Sequence, residues 1–414
     1  MNGRFALLAG LFLCSLTLRP QLTVVGPLLP RIENDLDVSH GVAGLLGTIP
    51  VFCMGAFAPA AAFVANRLGW RHALALSLAL IAAAGTARSL VPGTAAVLLL
   101  TIPVGVGIAI GGTLLPVSVK ERFSDRPGLA TGMYTAGILL GSGLGAALAV
   151  PLALAVRGWR TPFLAISVAT AVLVPAFVLL SRGEPAHVRT TLRPPELPWR
   201  SLVGWWLVGV FALQGLTYYG LNAWLADSYV ERGWKESTAG GLVTLLNAAS
   251  LPGAFVVLWF ADRASRQLQL VLTTFVMTLA VVGIVTVPGG AWVWTTVVGV
   301  CGGIVFSLLL LLPLDAADDP AQVGAFAGMM LGVGYAITAL APFVLGAVRD
   351  ATGSFTTTLW LMVGTAGLLT VGCVAFDPRW LHARRAEAEP LAALSSGAGI
   401  PVDDEEVGRA RLLP

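Results

Sequence analysis

The sequence predicts an all-α, polytopic membrane protein of twelve transmembrane helices in two six-helix repeats. Three observations carry this. Apolar residues make up 56% of the chain and charged residues 11%, against about 25% charged in ordinary soluble domains. Apolar segments of roughly 20 residues, long enough to cross a bilayer, recur between short polar breaks. One longer break at 182–200, rich in Pro and Arg, divides twelve such segments into six and six.

The first segment, 5–29, follows Arg4 and runs on past Arg19 with no A-x-A-like site, so it reads as a retained helix and not a cleaved leader. The next five are 41–64, 72–90, 95–119, 128–156 and 161–181. After the break come 201–229, 237–260, 268–287, 292–312, 322–348 and 355–376. The expected units are an N-terminal bundle (1–181), a cytoplasmic linker (182–200), a C-terminal bundle (201–376) and a tail (377–414). The tail is Ala/Glu/Arg-rich, then Gly/Ser-rich and acidic at 403–406, and reads as solvated and disordered. Lys and Arg number 17 on the side of the chain ends and 7 on the other, with Arg19 in the membrane. The positive-inside rule then puts both ends in the cytoplasm, here of a bacterial cytoplasmic membrane.

The halves repeat at a fixed offset. Asn66-Arg67 recurs 196 residues later as Asp262-Arg263, and Ala43-Gly44 as Ala239-Gly240. Gly107 recurs as Gly303, and Gly132-Met133 as Gly328-Met329, at the same offset. Four coincidences in one register point to duplication, with the halves related by an axis along the membrane normal.

These features resemble the major facilitator superfamily over roughly residues 5–376. Ala62-Phe-Val-Ala-Asn66-Arg67-Leu-Gly69-Trp-Arg71 is similar to that superfamily's loop between helices two and three. Ala62 stands where the first glycine is usual and Asn66 where an aspartate is usual, whereas Asp262 keeps the acid in the second half. Thr101–Gly107 lacks the membrane arginine of many proton-coupled members. More narrowly, the chain resembles the cyanate permease and 2-nitroimidazole transporter family. The carrying segments are Leu18-Arg19-Pro20, Val25-Gly26-Pro27, Leu115-Pro116, Tyr218-Tyr219-Gly-Leu-Asn222 and Gly334-Tyr335. The resemblance implies a secondary transporter that moves a small anion or compact polar solute by alternating access.

The residues support a site on their own terms. In a continuous helix, Arg19 lies about 20 Å along, inside a hydrocarbon core about 30 Å thick. A charge at that depth costs at least a few kcal/mol unless it snorkels, finds a carbonyl, or faces a partner or wet cavity. Pro20 frees one such carbonyl, that of Leu16. Ser15, Arg19 and Thr23 share one helical face, as do Gln214, Tyr218 and Asn222 in helix seven, with Tyr219 beside them. Since helices one and seven correspond by repeat, the two stripes are expected to meet across a central cavity. For Ser15 and Thr23, hydrogen bonding to a neighbouring helix is the favoured expectation. Asn247 and Tyr134 are further binding candidates, and Arg67, Arg71, Asp262 and Arg263 are candidate gate charges.

Glycine stripes at 137/141/145 and 324/328/332 allow close helix approach. Cys14, Cys53, Cys301 and Cys373 read as core residues and the four histidines as scattered loop residues, so no metal site is expected. No Gly-Lys-Ser/Thr phosphate loop or HExxH motif occurs, which argues against ATP-driven pumping and membrane proteolysis. The expected partners are a small substrate, anionic in character, and the lipid bilayer. Neither a cofactor nor nucleic acid is expected, and the protein reads as a monomer and not an enzyme. A channel, or a sensor on a transporter scaffold, is the alternative class.

Overall fold

The computed structural model describes residues 3–123, 127–156, 158–182, 197–260, 265–317 and 320–375. Its described residues are helical, with no strand. Eleven helices are long and apolar enough to cross a membrane, and twelve when the pair His40–Ala56 and Ala58–Leu68 is taken as one bent span. The first half contains span 1 (Arg4–Leu36), span 2 (that pair), span 3 (Trp70–Leu90), span 4 (Thr94–Arg122), span 5 (Pro127–Val156) and span 6 (Arg160–Leu180). The second contains span 7 (Leu202–Glu231), span 8 (Glu236–Phe260), span 9 (Arg266–Thr286) and span 10 (Ala291–Ala316). Span 11 is Pro320–Thr338 with Leu340–Thr352, and span 12 is Phe355–Val374. The expected linker lies largely, and the tail wholly, outside the described residues.

Most expected boundaries agree to within about four residues; the end of span 1 does not. Span 1 continues to Leu36 and span 2 to Leu68, because both helices run on past the apolar core as polar turns that hydropathy does not register. Span 1 is also not continuous. It consists of Gly3–Thr17, the single turn Pro20–Thr23, a 3-10 turn at Gly26–Leu28, and Leu29–Leu36. Pro20, Pro27 and Pro30 cause this, since each lacks an N–H and crowds the carbonyl one turn earlier. Span 2 bends by 58° at its break, where Pro59 stands in the first turn of the second helix.

Packing follows the repeat. Within the first half, span 1 packs on span 5, span 2 on span 4, and span 3 on span 4. Their counterparts, 7 on 11, 8 on 10, and 9 on 10, pack in the second half. Across the seam, span 2 meets span 11 and span 5 meets span 8, and these two pairs also interchange under the repeat. A Cβ on Gly44 of span 2 would sit 2.4 Å from the Pro342 carbonyl, and one on Gly240 of span 8 would sit 2.8 Å from Val150 of span 5. Those two glycines are therefore true equivalents at the seam. Gly107 and Gly303 are not: Gly107 faces span 3 at Ser77 and Ile81, whereas Gly303 faces span 8 at Ser250.

The two glycine stripes also differ. Cβ atoms at Gly137 and Gly141 would lie 1.9 Å from Ser15 Oγ and 2.1 Å from the Leu16 carbonyl. Span 5 is thus pressed against span 1 where Pro20 has freed that carbonyl. At Gly324 there is no atom within 4 Å; in the 7–11 pair the close glycines are Gly215 of span 7, against Thr338, and Gly334 of span 11, against Phe211. All four cysteines are free and buried. Large apolar side chains such as Leu99, Val172, Leu272 and Leu368 are exposed, as a lipid-facing surface requires.

Candidate functional site

Arg19 sits in the break of span 1. Its carbonyl accepts the bonds that open the short turn, from Leu22 N at 2.9 Å and Thr23 N at 3.1 Å. Its side chain crosses to the other half, where the guanidinium donates to the hydroxyls of Tyr219 in span 7 and Tyr335 in span 11, the latter at 3.5 Å. Among the described residues no carboxylate pairs with it. Two of five N–H groups meet neutral hydroxyl oxygens, which leaves donors for an incoming acceptor.

A polar relay lies beside the arginine. The Tyr218 hydroxyl donates to Asn247 Oδ1 at 2.7 Å, and Asn247 Nδ2 donates to Asn222 Oδ1 at 2.8 Å. The Tyr218 and Tyr219 rings meet edge to face at 5.1 Å. Arg19, Thr23, Tyr218, Tyr219 and Asn222, with an apolar wall of Leu22, Val25, Ala223 and Pro342, line a cavity of about 20 Å³. One water needs roughly 10–15 Å³, so little space is left between the halves at the site. The approach is tight at Gly26, where a Cβ would lie 1.8 Å from the Asn222 carbonyl oxygen.

Residues 11–339 match the Major Facilitator Superfamily. The chain belongs to the major facilitator superfamily. This transporter is 32% identical to the cyanate transport protein of Escherichia coli (strain K12), over 83% of its own length and 90% of that protein's. Its identity to the 2-nitroimidazole transporter of the same organism is 30%, covering 86% and 92% of the two chains. To an uncharacterized transporter of Bacillus subtilis (strain 168) it is also 30%, covering 89% and 92%. Its fold is similar to the crystal structure of a D-xylose-proton symporter, with TM-score 0.72, 14% identity, and 90% and 98% of the two chains covered. A bacterial homolog of the lysosomal transporter Spinster, inward-facing and unoccupied, gives TM-score 0.70 at 15% identity, covering 91% and 94%.

The transporter thus brings Arg19, Tyr218, Tyr219, Asn222 and Asn247 together. Gln214 is buried on the same span but does not line the cavity, and Tyr134 packs against the apolar core of the first half. Thr23 lines the cavity yet donates to the Ser142 carbonyl of span 5 at 2.9 Å, and Ser15 donates to Phe12. Tyr335 was missed as a partner of Arg19; the segment Gly334-Tyr335, which carries the family resemblance, was the available signal.

Of the gate candidates, Arg67 is exposed over the Phe63 ring, and Arg71 donates to the Val178 carbonyl of span 6 at 2.9 Å. Asp262 and Arg263 lie outside the described residues. Among the described residues, the charged contacts that cross the halves lie at the end of the bundle opposite Gly3, here called distal. Arg31 of span 1 forms a two-pronged pair with Glu236 of span 8, and His40 of span 2 bonds Asp350 of span 11. His40 and His72 both stand in the first turn of a span and not in loops. Arg88, one of the seven basic residues counted on the side opposite the chain ends, is 1% exposed and bonds Gln21 at 2.6 Å and Thr101 at 3.1 Å.

Proposed function

We propose that this transporter moves a small anion or compact polar solute, cyanate-like or nitroimidazole-like, by alternating access, with Arg19 as its principal binding charge. One observation carries the reading: an arginine inside the bundle, at the junction of the halves, holds the hydroxyls of Tyr219 and Tyr335 and, among the described residues, no carboxylate. In a low-dielectric cavity a guanidinium attracts an anion far more strongly than in water, and its planar fork suits two oxygens or an oxygen and a nitrogen. The aromatic pair of Tyr218 and Tyr219 offers a flat neighbour to a conjugated solute. The curated relatives named for cyanate and 2-nitroimidazole support this size class.

The small cavity fits an occluded intermediate, and the distal ion pairs fit a closed outer face. The two six-helix bundles rock about the seam, with Arg67, Arg71, Asp262 and Arg263 as cytoplasmic gate charges and both chain ends in the cytoplasm of a bacterial cell membrane. A monomer suffices for this cycle. A thermal-shift screen of cyanate, nitrite, formate and 2-nitroimidazole on purified protein, followed by counterflow in proteoliposomes, tests the reading. A ligand that raises the unfolding midpoint and shows saturable counterflow is expected. Non-saturating flux without counterflow would make the protein a pore.

A further inference from the structure

We propose that Glu33, His40 and Asp227 form a binding site for a divalent metal ion at the distal end, joining spans 1 and 2 of one half to span 7 of the other. This inference stands apart from the role of Arg19. The three donor atoms lie within 4.8 Å of one another although no sequence spacing unites them. His40 Nδ1 lies 2.7 Å from Asp350 Oδ1. Asp350 is fixed in turn by the backbone N–H groups of His40 at 3.1 Å and Gly41 at 2.8 Å. A carboxylate on Nδ1 holds the hydrogen there and leaves the Nε2 lone pair facing inward, the arrangement that orients metal-binding histidines.

What Nε2 faces is two carboxylates. Glu33 Oε2 is 3.6 Å away and Asp227 Oδ2 is 3.9 Å away, both too long for hydrogen bonds. Asp227 is 7% exposed, and its Oδ2 is buried with no hydrogen-bond partner; Glu33 Oε1 is likewise unpartnered. A buried carboxylate oxygen without a donor is costly, and a cation satisfies it. Metal bonds of about 2.0–2.2 Å place tetrahedral neighbours about 3.3–3.6 Å apart; the two separations from His40 are close to that, and the Glu33–Asp227 edge, within 4.8 Å, closes on binding. The nearby cations are committed elsewhere: Arg349 pairs with Glu231 at 2.8 Å, and Arg31 pairs with Glu236. One imidazole with two carboxylates suits zinc and similar first-row ions better than calcium or magnesium.

A metal here ties the halves together only while the distal end is closed, so binding biases the transporter toward that state. The test uses full-length protein in detergent, stripped with a chelator and titrated with zinc chloride in a calorimeter. Binding of one equivalent with a raised unfolding midpoint is expected, with no response to magnesium. Asp227→Asn and His40→Gln should weaken zinc binding at least tenfold, and Asp350→Asn, which only orients the imidazole, by about 10–100-fold. Arg19→Ala should leave it unchanged. Because a variant that folds poorly is uninformative, cobalt(II) absorption of the wild type gives a second readout, with visible bands of a nitrogen- and oxygen-ligated site expected. No heat with zinc, or binding unaltered in both His40→Gln and Asp227→Asn, overturns the proposal. So does a stability that follows pH alone, which would make the cluster a proton-sharing latch.

Discussion

At the scale of single residues, the bundle contains two arginines that resolve the same problem differently. Arg88 is fully enclosed by Gln21 Oε1, Thr101 and the Phe163 ring, whose centroid lies 4.5 Å away. Gln21 is the second residue after Arg19, so this network also braces the broken stretch of span 1. Gln21→Leu removes a hydrogen bond to a charged group, worth about 1.5–3 kcal/mol, and should lower the unfolding midpoint. Adding Arg88→Met should recover part of the loss, since the stranded charge goes with it; a double variant less stable than Gln21→Leu alone would refute the bracing. Asn247→Leu leaves the Tyr218 hydroxyl and Asn222 Oδ1 without their partner, at a cost of about 1–3 kcal/mol. It should weaken ligand affinity as well as stability, and isothermal titration checks this. Arg19, Tyr218 and Asn222 were legible in the sequence because each is a polar group on an apolar helix. Arg88 was not, because it stands in the last turn of span 3 and looks like a loop charge.

The elements show where periodicity runs out. Helix existence and order followed from apolar run length, but the breaks in span 1 depended on three prolines and on a partner that comes close to the Leu16 carbonyl. That partner is span 5, whose glycine stripe was legible; the stripe on span 11 was legible too, but Gly324 at its start stands in open space. Gly141→Leu should therefore block assembly or transport, because even its Cβ would meet the Leu16 carbonyl at 2.1 Å. Gly324→Ala, with open space around it, should behave as wild type in expression and uptake. Equal tolerance at both positions would mean that spans 1 and 5 do not pack as described. The offset of 196 residues gave the true seam equivalents Gly44 and Gly240. It also gave one false pair, Gly107 and Gly303, since glycine is common enough here to coincide by chance.

For the whole molecule, the interchange of cross-half contacts under the repeat is the symmetry on which the proposed rocking of one half against the other rests. The distal clasp was invisible in the sequence, since Arg31, Glu33, His40, Asp227, Glu236 and Asp350 come together only after four spans and a fifth have packed. Arg31→Glu or Glu236→Arg should loosen that end and reduce transport, and the combined charge swap should restore it in part, as uptake into proteoliposomes would show. Restoration is expected to be incomplete, because partly exposed pairs contribute modestly and Glu33 lies close by on the same span. Reporter fusions within 182–200 and after Phe376 should both read cytoplasmic, from the excess of Lys and Arg on that side. A periplasmic reading at either site would contradict the orientation.

The central claim is that Arg19 binds the transported solute. Isothermal titration of the best ligand from the screen into wild type, Arg19→Ala and Arg19→Lys measures it directly. Arg19→Ala should abolish detectable binding while the protein remains folded, since the substitution also removes a costly internal charge. Arg19→Lys should keep part of the affinity for a point-like anion and lose most of it where two-pronged contact matters. If Arg19→Ala instead keeps its affinity within about a factor of two, a free-energy change below about 0.5 kcal/mol, then Arg19 is a structural residue and the account of the site is wrong.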